Sequence, residues 1–385
     1  MKAMNRKFDI RIILTLCLMI AIPAWPDTVF GGSPENQLLI PLAMELNDKN
    51  LSGSDAIAAN FDNAGGMPNL LMASASAGQN SDPGISLEQE EVSQQSNGHR
   101  FRFSLGVGFR NDTLLWNIAD IDNSPNILSE LEWNDFRSTV FSGQFRWSNP
   151  WHLFIRGGVE VGVVFDGENR DSDYLGDNRT QEFSRSYADT DDGSVFDAGL
   201  GMGYRFDIPW QLSSSPLHII PLLGYAYHNQ DVEDSNGRQV VSTSGITPDP
   251  GPFPGLQSSY DARWDGPWLG IDFELPVGDR HILSASFEYH WADFEGDANW
   301  NLRNDFAHPS SFQHRAEGKG MFLSLGYAYN FSSNWAMNIG VKYCKMTTDP
   351  GVDTTFFADG SQVSIPLNEV EWESYGINLG ATYDF

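Results

Sequence analysis

The sequence YGINLGATYDF, residues 375–385, alternates strictly between two kinds of side chain. Apolar or aromatic residues occupy every odd position, and small or polar residues occupy every even one. A period of two places the first set on one face of a β-strand and the second set on the other. Lipid outside and water inside a transmembrane barrel require this division. The stretch therefore predicts a membrane-spanning strand with one lipid-facing side.

The same alternation recurs in nine further segments, which lie near residues 101–109, 130–147, 153–165, 196–206, 215–228, 269–275, 283–291, 321–331 and 335–343. Short turns between them alternate with long polar segments, at about 111–127, 167–193, 229–258, 294–315 and 348–368. Periplasmic turns and extracellular loops alternate in this way in outer-membrane barrels. The sequence predicts an all-β, transmembrane, antiparallel up-and-down β-barrel of ten strands with long extracellular loops. A soluble β-sandwich, the alternative fold, does not require such regular apolar rows.

The first 98 residues indicate that the protein is exported from the cytoplasm. Four basic residues precede an apolar run over residues 12–24, which is too short to span a bilayer as a helix. This pattern is typical of a secretory signal peptide, here residues 1–24. Residues 25–98 are rich in small and polar residues without a sustained period, and they predict a flexible periplasmic leader. The barrel then occupies residues 99–385, and the expected location is the bacterial cell outer membrane.

The composition is acidic, with 51 Asp and Glu against 23 Lys and Arg and a net charge of -28. The mean hydropathy is -0.34, which a barrel accommodates because only alternate strand residues meet lipid. The acidic residues concentrate in the long polar segments. Outer-membrane lipid and basic peptides or proteins at the extracellular face are therefore the expected partners, and nucleic acid is not. Acidity that serves solubility alone is the alternative interpretation.

One of the long polar segments carries a pair of carboxylates, Asp171 and Asp173. On an extended chain, residues two apart point the same way. Two close carboxylates raise the pKa of one of them, which can then act as a base toward water. Solvated loop residues are the alternative. The spacing of the neighbouring acidic residues fits no EF-hand loop, so no metal site is predicted.

Residues 99–385 resemble the omptins, a family of ten-stranded outer-membrane endoproteases. The segments that carry the resemblance are Ser129-Glu130-Leu131-Glu132-Trp133, Asp171-Ser172-Asp173-Tyr174, Ser184-Arg185 with Asp189-Thr190, Gly224-Tyr225, and Tyr260, Arg263, Pro267 and Gly270. The resemblance implies an aspartic-type endopeptidase, in which Asp171 and Asp173 hold the attacking water. It also implies a second catalytic pair across the cleft, at Asp297 and Asn299. Lipopolysaccharide, held in part by Arg263, would be an activating lipid, and no other cofactor is expected.

This chain departs from the omptin pattern at the second pair. The family has Asp-x-His where this sequence has Asp297-Ala298-Asn299. An amide can hold a water molecule but cannot take its proton. His290, His308 and His314 are the candidates for a substitute base. If the missing imidazole is the defect, the substitution Asn299→His is expected to raise peptide hydrolysis.

Two functional interpretations follow and remain open. The first is an omptin-like surface protease, whose acidic extracellular cleft attracts basic peptide segments. The second is a catalytically inactive surface protein with a structural, adhesive or peptide-binding role, because fold does not carry activity with it. A porin is a weaker third interpretation, since ten strands enclose a narrow interior. We expect the lumen-facing charges to fill that interior with a salt-bridged network formed by Arg156, Glu160, Asp272, Glu274 and Glu288.

Overall fold

The computed structural model describes residues 98–210 and 215–385. The predicted signal peptide, and the predicted leader apart from residue 98, lie outside the described residues. The described chain is all β, and no helix in it is long and apolar enough to cross a membrane. Its strands are β1 (Arg100–Ala119), β2 (Asn126–Ser148), β3 (Leu153–Gly176), β4 (Thr180–Tyr204), β5 (Phe206–Ile208), β6 (Leu217–Val241), β7 (Gly251–Pro252), β8 (Ser258–Val277), β9 (His281–Asn299), β10 (Phe312–Asn330), β11 (Trp335–Thr348), β12 (Gly351–Phe356) and β13 (Gln362–Asp384).

Ten long strands form a closed antiparallel ring. Their order is β1-β2-β3-β4-β6-β8-β9-β10-β11-β13, and β13 pairs back onto β1 from Arg102 opposite Asp384 to Ile118 opposite Leu367. The short strands β5 and β7 pair with β6, while β12 lies between β10 and β13. Because consecutive long strands are neighbours throughout, the topology is up-and-down. The predicted ten-stranded barrel is confirmed.

A band of apolar side chains surrounds the lower part of the barrel. Leu105 is 60% exposed and Phe109 is 64% exposed, whereas Gly106 and Gly108 between them face the interior. Comparable rows are formed by Val159, Val161, Val163, Phe196, Leu200, Met202, Leu223, Leu269, Phe287, Met337, Val341, Ile377 and Leu379. Such side chains are stable in contact with hydrocarbon but costly in water. The alternation in the sequence thus correctly predicts which face of each strand points outward.

The segments predicted as long extracellular loops are largely strand. For example, β3 extends to Gly176 and β4 begins at Thr180, so only residues 177–179 separate the two strands. Asn178 and Arg179 both have positive φ, 56° and 61°, as the two central residues of a tight hairpin turn require. Residues 167–173 of β3 are polar or glycine on both faces, which removes the apolar period there while the backbone pairing continues. The barrel wall therefore rises well beyond the apolar band.

The interior of the lower, membrane-spanning half is polar. Arg156 binds Asp272 and Glu288 at 2.9 and 2.8 Å, and Lys342 binds Glu160 at 2.7 Å. Glu274 pairs with Arg146. The predicted salt-bridged network is thereby confirmed. A cavity of about 340 Å³ lies among these side chains.

The interior of the upper, extracellular half is instead an aromatic core. Trp133, Trp264 and Tyr260 are completely buried there, and Trp372 is nearly so. The Trp133 ring on β2 stacks on the Tyr260 ring on β8, with 4.9 Å between centroids. Contacts between strands on different sides of the ring mean that these side chains fill the lumen. The upper half is thus packed like a globular protein rather than open as the predicted acidic cleft.

Candidate functional site

Asp171 and Asp173 lie on the inner face of β3 in the extracellular half. Asp171 is directly opposite Leu131, and Asp173 is opposite Ser129. Leu131 belongs to the aromatic core, and residues directly opposite in an antiparallel pair share one face. The two carboxylates therefore point into the barrel together, as their spacing predicts.

A third carboxylate, Asp234 on β6, stands near this pair. Trp133 Nε1 donates to Asp234 Oδ1 at 3.0 Å, and Thr190 Oγ1 donates to the same oxygen at 2.8 Å. Burial raises the pKa of Asp234 to about 7. Burial and the charges of Asp173 and Asp234 raise the pKa of Asp171 well above its ordinary value. Asp234 continues the inward row of Gln230 and Val232, but the sequence did not predict it as a site residue because that segment was predicted to be a loop.

The connection between β9 and β10, residues 300–311, brings a cation to these carboxylates. β10 lies opposite β3 in the ring. Arg303 is nevertheless close enough that its charge lowers the pKa of both Asp171 and Asp173, against the larger effect of burial. Hydrogen bonds hold the connection in place, from Ala307 N to Phe356 O at 2.9 Å and from Ser311 N to Ala298 O at 2.7 Å. The connection therefore reaches across the mouth of the barrel.

The predicted second catalytic pair lies on the other side of the wall. β9 alternates without a register shift, and its lipid-facing residue Trp291 is on the same face as Asp297 and Asn299. Ala298, between them, is buried in the core. Arg263 and Gln313 bind Asp297, and His308 Nδ1 lies 2.9 Å from Asn299 Oδ1. Asp297 and Asn299 therefore do not face Asp171 and Asp173 across a cleft.

Local register shifts explain this difference. Within β3, the inward residues are even-numbered up to Val164 and odd-numbered from Asn169 onward. The shifts lie near Asp166, opposite Arg137. A single bulged residue moves every later side chain to the opposite face. Because β9 has no such shift, its odd-numbered residues stay outside.

The three candidate histidines are also separate from the carboxylates. His290 lies in the lower half, 2.9 Å from Glu288 Oε2. His308 is exposed beside Asn299. His314 is fully buried, with Tyr260 Oη 2.8 Å from Nδ1 and Asp353 Oδ1 3.7 Å from Nε2, and burial lowers its pKa to about 3. Within residues 98–210 and 215–385, none of them forms a hydrogen bond or ion pair with Asp171 or Asp173.

Arg263, the predicted lipopolysaccharide ligand, lies in an acidic part of the outer wall. Its guanidinium is 3.1 Å from Asp261 and 4.0 Å from Glu295, and it also binds Asp297. The neighbouring Asn229 Nδ2 donates to Asp261 at 2.9 Å. Carboxylates thus outnumber cations at this position, which disfavours an anionic headgroup there.

Asp234 makes stability depend on pH. The pKa of its carboxyl rises from 3.8 to about 7 on folding, so its contribution to stability is complete at low pH and is lost as pH rises through about 7. We expect Asp234→Asn, which can still accept both hydrogen bonds, to raise the unfolding temperature relative to wild type at pH 8. At pH 5 the two proteins should differ much less. Thermal unfolding in detergent measures this difference.

Asp122→Asn, in an exposed turn, is the matched control and should leave the unfolding temperature unchanged at both pH values. The comparison with wild type at each pH cancels the opposite contribution of His314, which is present in both proteins. An equal effect of Asp234→Asn at pH 5 and pH 8 would contradict the assigned burial of the charge.

One comparison with a solved structure agrees with this fold. The outer membrane protease OmpT from Escherichia coli has a similar structure, with a TM-score of 0.63 and 13% sequence identity; the match covers 74% of this chain and 97% of OmpT. OprG from Pseudomonas aeruginosa matches with 11% identity and a TM-score of 0.29, over 74% of this chain and 95% of OprG. No curated protein sequence matches the chain. At these identities, the likeness to OmpT shows the barrel fold alone.

The family comparison is more specific. The profile described as "Pom: Protochlamydia outer membrane protein" matches residues 104–385, which include nearly all of the barrel. Together with the closed ring and its apolar band, this match assigns the protein to the bacterial outer membrane. The chain belongs to the Protochlamydia outer membrane protein family, Pom.

Proposed function

We propose that this barrel is a non-hydrolysing surface protein, whose acidic extracellular wall binds basic peptide segments. The observation that carries the first part is the separation of the two predicted catalytic pairs, Asp171 with Asp173 and Asp297 with Asn299. Asp171 and Asp173 are inside, and Asp297 is outside in an ion pair with Arg263. Activation of water for peptide hydrolysis needs a base within hydrogen-bond reach of the reacting groups. Divided in this way, the residues do not form such a site.

The outer wall supports the binding role. Three aspartates, Asp231, Asp261 and Asp297, lie side by side in one row across β6, β8 and β9. A second row nearer the apolar band contains Asp265, Asp293 and Glu317. Like charges directly opposite in a sheet repel each other. A basic peptide laid across these rows would relieve that repulsion, and its attraction would weaken with salt.

Two other functions each have one observation in their favour. Hydrolysis is favoured by the inward carboxylate pair, whose pKa values are raised by burial. Solute passage is favoured by the cavity of about 340 Å³ among the interior charges of the lower half. The aromatic core above the cavity opposes passage, since its buried side chains from β2 and β8 meet within the lumen.

The test uses the full protein refolded with and without lipopolysaccharide. A fluorogenic peptide containing paired basic residues should not be cleaved above the level of Asp171→Ala. Asn299→His should bring no gain, contrary to the expectation from sequence, because residue 299 is on the outer face. The same peptide should bind, with an affinity that falls as salt is raised. The triple variant Asp231→Asn, Asp261→Asn and Asp297→Asn should bind the peptide about tenfold more weakly, as expected for lost charge complementarity.

The triple variant Asp122→Asn, Asp249→Asn and Asp359→Asn removes the same charge from exposed turns and loops and should bind like wild type. Cleavage that disappears in Asp171→Ala would overturn the proposal in favour of an endopeptidase. Open-channel conductance in planar bilayers would favour solute passage instead. Equal loss of binding in both triple variants would show that net charge, rather than these rows, attracts the peptide.

A further inference from the structure

A second cavity, of about 550 Å³, opens on the outer side of the extracellular rim. It lies where the end of β1, the start of β2, the β3–β4 turn and β13 meet. Its volume is in the range of small-molecule sites. Five asparagines line it, namely Asn117, Asn123, Asn126, Asn178 and Asn368. The lining contains no residue of the two acidic rows and neither Asp171 nor Asp173. The proposed peptide binding therefore does not involve this cavity.

The amides are held in place by one another. Asn368 Nδ2 donates to Asn117 Oδ1 and to Asn126 Oδ1, both at 2.9 Å. Asn126 Nδ2 donates to Asn123 Oδ1 at 3.0 Å. The β3–β4 turn is attached to the same cluster, since Asn178 N donates to Asn126 O at 2.8 Å. Side chains fixed before binding lose little entropy when a ligand arrives.

One amide in the cavity is free. The Asn178 side chain is exposed and forms no hydrogen bond within the described residues, whereas its backbone is fixed with a φ of 56°. An amide presents donors and an acceptor together. Sugar hydroxyls also donate and accept, so an array of amides matches adjacent hydroxyls. Ile127, also in the lining, is 8% exposed and leaves a small apolar contact for the C–H face of a sugar ring.

The charges of the cavity decide which sugars fit. Arg179 is the only cation in the lining, and its Nε donates to Glu130 at 2.8 Å. Asp177 and Glu369 are also in the lining. Because the carboxylates outnumber the one engaged guanidinium, a phosphorylated or acidic sugar would be repelled. We propose that this asparagine-rich cavity binds an uncharged carbohydrate.

Saturation-transfer NMR on the full protein in detergent tests the proposal. The probes are methyl α-mannoside, methyl β-galactoside and N-acetylglucosamine, with glucuronic acid as the acidic comparison. We expect signal transfer to at least one neutral sugar and less to glucuronic acid. Asn178→Gly keeps the positive φ and removes the free amide, so it should weaken binding by about fivefold to tenfold, as for one or two hydrogen bonds. Asn368→Leu should abolish it.

Asn236→Gly is the matched control, because Asn236 also has a positive φ, 52°, but lies on β6 outside the cavity. It should bind like wild type. Vesicles with and without lipopolysaccharide distinguish two sources of the sugar: competition by lipopolysaccharide indicates the cell's own envelope, and unchanged binding indicates a glycan from outside. The proposal is overturned if no neutral sugar binds, or if Asn178→Gly and Asn368→Leu both bind like wild type.

Discussion

Replacement of Arg110 by methionine is expected to destabilise the folded barrel by about 3–5 kcal/mol, the usual cost of breaking a buried ion pair. Arg110 Nε donates to both oxygens of Asp112, at 2.9 and 2.7 Å, and Nη1 donates to Asp197 at 2.5 Å. Its guanidinium also lies 5.2 Å from the centre of the Trp372 ring. The substitution would leave Asp112 without a cation inside the lumen, and Asp197 with only the His228 imidazole, whose Nδ1 lies 2.8 Å away. Urea unfolding in phospholipid vesicles measures the loss.

Two further variants test this explanation. Arg137→Met removes the ion pair with Asp166, whose side chains are 57% and 56% exposed, and should cost less than about 1 kcal/mol. Adding Asp112→Asn and Asp197→Asn to Arg110→Met removes the stranded charges and should recover part of the lost stability. If the triple variant is less stable than Arg110→Met, lost packing rather than uncompensated charge is the cause.

Trp133→Ala is expected to lower the free energy of unfolding by about 3–5 kcal/mol, because it leaves a cavity in the aromatic core. The side chain is completely buried, stacks on Tyr260 and donates to Asp234. Trp133→Phe keeps an aromatic ring in contact with Tyr260 and loses the hydrogen bond. It should therefore cost less than Trp133→Ala in the same unfolding experiment.

The control for this prediction is Trp151→Ala in the short turn between β2 and β3. That side chain is 77% exposed, so its removal should change the unfolding free energy little. Similar losses for Trp133→Ala and Trp151→Ala would contradict a packed upper lumen and would favour an open one.

The interior charges of the lower half could be predicted from the sequence. Arg156, Asp272 and Glu288 lie on strands with clear alternation, so their inward position and their salt bridges follow from period and strand count. Trp133 lies in the predicted strand 130–147, but nothing local in the sequence indicates that its ring stacks on Tyr260 of β8. Asp234 was not predicted because residues 229–258 lack an apolar period. Core contacts between β2 and β8 depend on ring closure, which brings together residues more than a hundred positions apart.

By itself, the sequence determined the barrel, its ten strands and the lipid-facing side of each, because alternation against lipid is a local property of a strand. It also correctly placed Asp171 and Asp173 on one face. Only the tertiary structure decided which face. Register shifts near Asp166 turn that pair inward, while the unbroken register of β9 leaves Asp297 and Asn299 outside. A bulge arises from pairing between strands, so two segments that resemble a catalytic site in sequence can end on opposite sides of one wall.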